Sequence, residues 1–207
     1  MTPTIASRKV DFQQLVRQFS LKVTREISFF PEWRENLPEI SEGDRVVLDR
    51  VQAGFWNLVE YPPFSEKLIQ ISVLGPLLLL AGFYEPPFHI QAEKSIEISA
   101  PDENGIIVRG RIDILALKEQ VWALVIEAKE AEFSIEAGVS QLLSYMLTNP
   151  VTDKPSYGLI ASGGSFIFVK LLKGETNDYG FSKIYEIRNP GNDLYEVLQV
   201  LKKIANL

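Results

Sequence analysis

The stretch Val121-Trp-Ala-Leu-Val-Ile-Glu-Ala-Lys129 decides the fold. From Val121 to Ile126 it is apolar on both faces of a two-residue period, so it reads as a central strand covered on both sides. Alternation puts Val121, Ala123, Val125, Glu127 and Lys129 on one face, and Trp122, Leu124, Ile126 and Ala128 on the other. Upstream, Ile106–Leu117 reads as the preceding strand. It carries Arg109, Arg111 and Asp113 on one face, with Leu115 and Leu117 beyond, and Lys118-Glu-Gln120 is the joining turn. Before that, His89–Ser99 alternates through Ile90, Ala92, Ile96 and Ile98, and Pro101-Asp-Glu-Asn-Gly105 turns it back. Together these three strands are an antiparallel meander.

Outward from the meander, a helix is expected at about 132–148, ended by Asn149-Pro150. Tyr157–Ala161, Phe166–Leu172 and Lys183–Ile187 read as strands, with Gly163-Gly164 turning between the first two. Leu194–Ile204 is a closing amphipathic helix. On the N-terminal side, Val10, Phe12, Leu15, Val16 and Phe19 have helical spacing, and residues 31–40 are a connection. Ser41 opens a helix that Tyr61-Pro-Pro63 stops. A third helix runs from near Ser65 towards Gly82, kinked by Pro76. The order of helices, three strands, a helix and further strands predicts an α/β fold with a mixed sheet flanked by helices. Residues 1–40 read as an N-terminal helical extension and residues 41–207 as the main domain.

The 207 residues are 46% hydrophobic and 23% charged, ordinary for a globular chain with a sizeable core. With no cysteine there is no disulfide and no thiolate metal site, which fits a cytoplasmic protein. The single histidine, His89, rules out a multi-histidine site, so any metal needs oxygen ligands and is Mg²⁺ or Mn²⁺. His89 itself reads as a surface or structural residue, and Trp33, Trp56 and Trp122 as core or packing aromatics. The net charge of −6 runs against the usual basic balance of nucleic-acid binders. The apolar run Ile71–Phe83 is shorter than the roughly 18–20 residues that span a bilayer, so no membrane association is expected.

If the two strands pair through the Lys118–Gln120 turn, Asp113 and Glu127 reach the same edge. Two carboxylates and a lysine there are poor packing and good phosphodiester chemistry. Asp113 and Glu127, with the Ala128 carbonyl, would hold the cation, and Lys129 would orient water or stabilise developing negative charge. The reading requires these heads to meet in one pocket open to solvent. A solvated strand end is the alternative for Glu127 and Lys129, and a plain surface residue or a partner for Arg111 the alternative for Asp113. Gln141 and Tyr145, four residues apart on the next helix, are either ordinary helix residues or contacts to a phosphate and a flanking base.

Gly110-Arg-Ile-Asp113, Glu127-Ala-Lys129 and Gln141-Leu-Leu-Ser-Tyr145 together resemble the PD-(D/E)xK nuclease superfamily. The nearest form is the N-terminal nuclease domain of type I restriction enzyme R subunits. Ile112 stands where the literal motif has proline. The resemblance spans about residues 64–170. It implies a restriction-endonuclease-like core, with Asp113 and Glu127 as metal ligands and Lys129 as the catalytic lysine. It further implies Glu66 as an auxiliary acid, Gln141 and Tyr145 as site residues, and DNA as substrate. Glu93 also falls where that pattern carries an acid. There is no phosphate-binding loop of a helicase motor. Target choice then falls to the N-terminal helices, to restriction-system or motor subunits, or to a homodimer. The competing expectation is an inactive nuclease-fold subunit that binds nucleic acid or assembles with a partner.

Overall fold

The computed structural model describes residues 4–6, 12–61, 65–99, 107–118, 121–129 and 135–207. Its helices are α1 (Phe12–Gln18), α2 (Glu42–Glu60), α3 (Glu66–Ile69), α4 (Gly75–Leu80), α5 (Ile135–Leu147) and α6 (Leu194–Ala205). The strands are β1 (Thr4–Ala6), β2 (Leu21–Val23), β3 (Phe88–Ser99), β4 (Ile107–Lys118), β5 (Val121–Lys129), β6 (Ser156–Ser162), β7 (Ser165–Leu172) and β8 (Asn177–Glu186).

Helix α2 starts where sequence chemistry puts it. The Ser41 side chain accepts from the Asp44 amide and the Asp44 carboxylate accepts from the Ser41 amide, a reciprocal cap that satisfies two orphan donors. Lys202 Nζ, from α6, lies 2.7 Å from the same Asp44 carboxylate. Burial, the largest single influence on that group, raises its pKa, but the bonds from Lys202 and Ser41 together hold it below its ordinary value. The expected third helix is present in pieces. A π turn over Gln70–Leu74 separates α3 from α4, and Gly75 N–H reaches back to Gln70 O. The wider turn comes just before Pro76, which has no amide to donate and crowds the turn behind it.

Strands β4, β5, β6, β7, β8 and β2 lie in that order in an eight-stranded mixed sheet, with β3 and β1 both against β4. The pairs β3/β4, β4/β5, β6/β7 and β7/β8 are antiparallel; β5/β6, β1/β4 and β2/β8 are parallel. Helix α5 is therefore the crossover that a parallel β5/β6 pair requires. One face carries Val108, Leu115, Val125, Ile160 and Val169 against α5 and α1. The other carries Leu124, Ile126, Leu159 and Phe168 against α2, α4 and α6. Trp56 is a packing aromatic rather than a core one, 43% exposed and edge-on to Phe55. The eighth strand starts at Asn177, earlier than its apolar end suggested. Residues 1–40 supply α1 and also β1 and β2, which join the same sheet. The turn expected at 101–105 lies outside the described residues. Among the described residues no helix is long and apolar enough to cross a membrane.

Two irregularities revise the strict alternation read from sequence. The β4/β5 register slips between Ala116 and Leu117, where Ala116 pairs with Leu124 but Leu117 with Trp122. The extra residue, Ala123, bulges, so Trp122 packs on the α5 face and Ala123 on the other. The second irregularity lies at Asp113. Ile112 and Leu115 lie in the same core cluster although three residues apart, and Ile114 packs in the opposite one. On β3, Ile90 and Ile96 likewise enter opposite clusters. Both strands change face together, at Glu93 and Asp113, while their register is kept on either side. Arg109 and Arg111 thus do not share a face with Leu115 and Leu117.

Candidate active site

Strand β4 holds β3 along one edge over its whole length. Its other edge is divided. β1 takes Ile107–Arg109 and β5 takes Ile114–Lys118. Side chains bridge the stretch between. Asp113 Oδ2 accepts the Ala128 amide at 2.8 Å, tying one carboxylate to the end of β5. Tyr145 Oη, from α5, donates to Arg111 O at 3.0 Å, and Gln141 Nε2 donates to Tyr145 Oη at 2.6 Å. The strand end, the adjacent strand and the crossover helix are thus joined at one point.

The close fit of α5 over β6 sets this geometry. A Cβ on Gly158 would come within 2.8 Å of Leu142 and Met146, and one on Gly138 within 3.0 Å of Ile160. Ile160 is the register partner of Glu127. The first half of α5 therefore lies over Glu127, which is 1% exposed. This corrects the expectation of a pocket open to solvent: the Glu127 head is covered. Gln141 and Tyr145 are buried as well, joined to each other and, through the Tyr145 hydroxyl, to the β4 backbone.

Glu66 is the first residue of α3, capped by Ser65, and accepts from Gln70 Nε2 at 3.2 Å. Helix α3 reaches the site region through its next residue, because Lys67 Nζ lies 3.4 Å from Glu93 Oε1. Glu93 Oε2 lies 3.4 Å from Arg111 Nη1. Glu93 adopts φ +56, a left-handed conformation that costs a non-glycine residue about 1–2 kcal/mol. Lys129 pairs in backbone register with Ser162, and its side chain lies outside the described residues. His89 is exposed.

The donor set is all oxygen and hard. Asp113 is fixed beside residue 128, Glu127 directly precedes it, and the strand end carries the Ala128 carbonyl. Among the described residues no group of three or more His, Asp or Glu side chains gathers to hold a metal ion. Mg²⁺ does not need such a cage, since it keeps several waters and commonly takes one or two carboxylates. The residues present fit Mg²⁺ or Mn²⁺ on those terms.

Sequence reasoning missed Glu93 as a partner of Lys67 and Arg111. A left-handed glutamate within a strand leaves no trace in composition or period. No protein-family model matches the chain, and no curated protein matches it.

Proposed function

We propose that the chain is a metal-dependent nuclease of the PD-(D/E)xK superfamily, with a restriction-endonuclease-like core, hydrolysing phosphodiester bonds of DNA in restriction or repair. The observation that carries this reading is the Asp113 carboxylate bonded to the Ala128 amide, one residue from Glu127, at the end of a strand pair. The order of a helix, an antiparallel three-strand meander, a crossover helix and a parallel fourth strand supports it.

Asp113, Glu127 and the Ala128 carbonyl would hold the cation. When bound, Mg²⁺ or Mn²⁺ offsets phosphate charge and makes water a better nucleophile at neutral pH. The Ala128 amide orients Asp113, and Tyr145 and Gln141 hold the β4 backbone at Arg111, so the ligand strand is fixed before substrate arrives. In this reading Lys129 stabilises charge developing on the phosphate, and Glu66 is an auxiliary acid. Since Glu127 is covered, the first half of α5 must shift when substrate enters.

That cover favours a second reading, an inactive nuclease-fold subunit that binds nucleic acid or a partner subunit. Cleavage separates the two. The nuclease account expects the purified chain to nick plasmid and cut single-stranded DNA with Mg²⁺ or Mn²⁺, and Asp113→Ala and Lys129→Ala to abolish this. Cleavage that survives both substitutions overturns the assignment. DNA binding without cleavage under any divalent metal supports the second reading.

A further inference from the structure

Resting on the nuclease reading, we propose that Lys67 and Arg111 form a phosphate-binding subsite beside the Asp113 strand end, and that Glu93 fills it in the free protein as an internal anion. Two cations from separate elements converge on one carboxylate. Lys67 comes from α3 and Arg111 from β4, each 3.4 Å from a different Glu93 oxygen. Such convergence is what an anion with several acceptor oxygens requires. Lys67 Nζ also donates to Gln70 Oε1, at 3.0 Å.

Three observations separate this cluster from an ordinary surface ion pair. The first is its place. Lys67 follows Glu66, Arg111 precedes Asp113 by two residues, and Glu93 stands opposite Asp113, between the register pairs Ala92–Ile114 and Lys94–Ile112. A phosphate held there would belong to a strand passing the proposed catalytic end. The second is the looseness of the contacts. On the same hairpin Arg109 binds Glu97 at 2.6 Å, whereas both Glu93 contacts are 3.4 Å. With side chains 48–60% exposed, solvent and a competing anion reach all three groups, so exchange is readily made. The third is the backbone. Glu93 is held in a left-handed conformation, and such strain concentrates at ligand-binding and switching positions.

The device restrains as well as binds. While Glu93 pairs with both cations it offsets one of their two positive charges and opposes an incoming phosphate. A phosphate that displaces the carboxylate gains both partners at once.

The test is binding of fluorescein-labelled single-stranded and duplex oligonucleotides to the full chain in EDTA, by anisotropy over a salt series, where no cleavage intrudes. Glu93→Gln is expected to tighten binding about fivefold and to steepen the dependence of log affinity on log salt by about 1. Lys67→Ala and Arg111→Ala each weaken binding and flatten that slope by about 1. Glu93→Gly, which accepts the left-handed backbone, must behave like Glu93→Gln, so a folding defect cannot mimic the result. Wild-type binding and cleavage with slopes indifferent to all four substitutions overturns the subsite and leaves the nuclease reading standing. Wild-type protein that neither binds nor cleaves nucleic acid overturns both.

Discussion

At the scale of single residues, the site rests on side chains that take over hydrogen bonds the sheet does not make. Asp113 accepts an amide of the neighbouring strand and Tyr145 donates to a β4 carbonyl. Removing one member of such a buried bond leaves the other unsatisfied. Tyr145→Phe is therefore expected to lower stability by about 1–2 kcal/mol in urea unfolding. In the nuclease account it also lowers the rate of cleavage more than the affinity for DNA, as befits a positioning residue. Unchanged stability and rate would show that the hydroxyl holds nothing in place. The pairing of Gln141 with Tyr145 on one helix face was legible from residue spacing, whereas the direction of Asp113 was not, because the strand period breaks at that residue. The covering of Glu127 was not legible, since it depends on how closely α5 approaches β6 across two glycines.

At the scale of elements, the meander and the crossover helix followed from pattern alone. Turn residues bounded the strands, and Ser41 marked the start of α2. What pattern could not supply were places where alternation breaks, among them the Ala123 bulge and the joint change of face at Glu93 and Asp113. A bulge shifts every later side chain to the other face, and neither position carries a glycine that would announce it. Contact between α5 and the sheet is equally specific. Gly158→Ala places a Cβ 2.8 Å from Leu142 and Met146. The Leu142 and Met146 side chains must give way and loosen the packing of the helix, at a cost of about 1–3 kcal/mol in denaturant unfolding. The amides of β5 near Glu127 are then expected to exchange faster with solvent. Wild-type stability and protection in this variant would mean that α5 does not seal the strand end.

At the scale of the whole molecule, the N-terminal residues are bound into the sheet rather than appended to it. Glu32 accepts from Lys170 Nζ at 2.6 Å and from Tyr157 Oη at 2.8 Å, and the Lys170 head lies over the rings of Phe29, Phe30 and Tyr157. Burial and the adjacent Glu32 carboxylate push the Tyr157 hydroxyl well above its ordinary pKa, so it remains a neutral donor. Because the pair is largely buried, Lys170→Met leaves a carboxylate without its cation and is expected to cost about 3 kcal/mol in urea unfolding. A change under 1 kcal/mol would show that this ion pair contributes little to holding the N-terminal segment, which β1 and β2 also tie into the sheet. The sequence did not disclose this pair, because its members are 138 residues apart and each is unremarkable by itself.

The central claim is that Asp113 and Glu127 share one divalent ion, and it is tested most directly by titrating the protein with Mn²⁺ and following the free-ion signal by electron paramagnetic resonance. The account predicts one site per chain in the wild type, lost in both Asp113→Asn and Glu127→Gln while the fold is retained. Binding that is undiminished in either variant would contradict it.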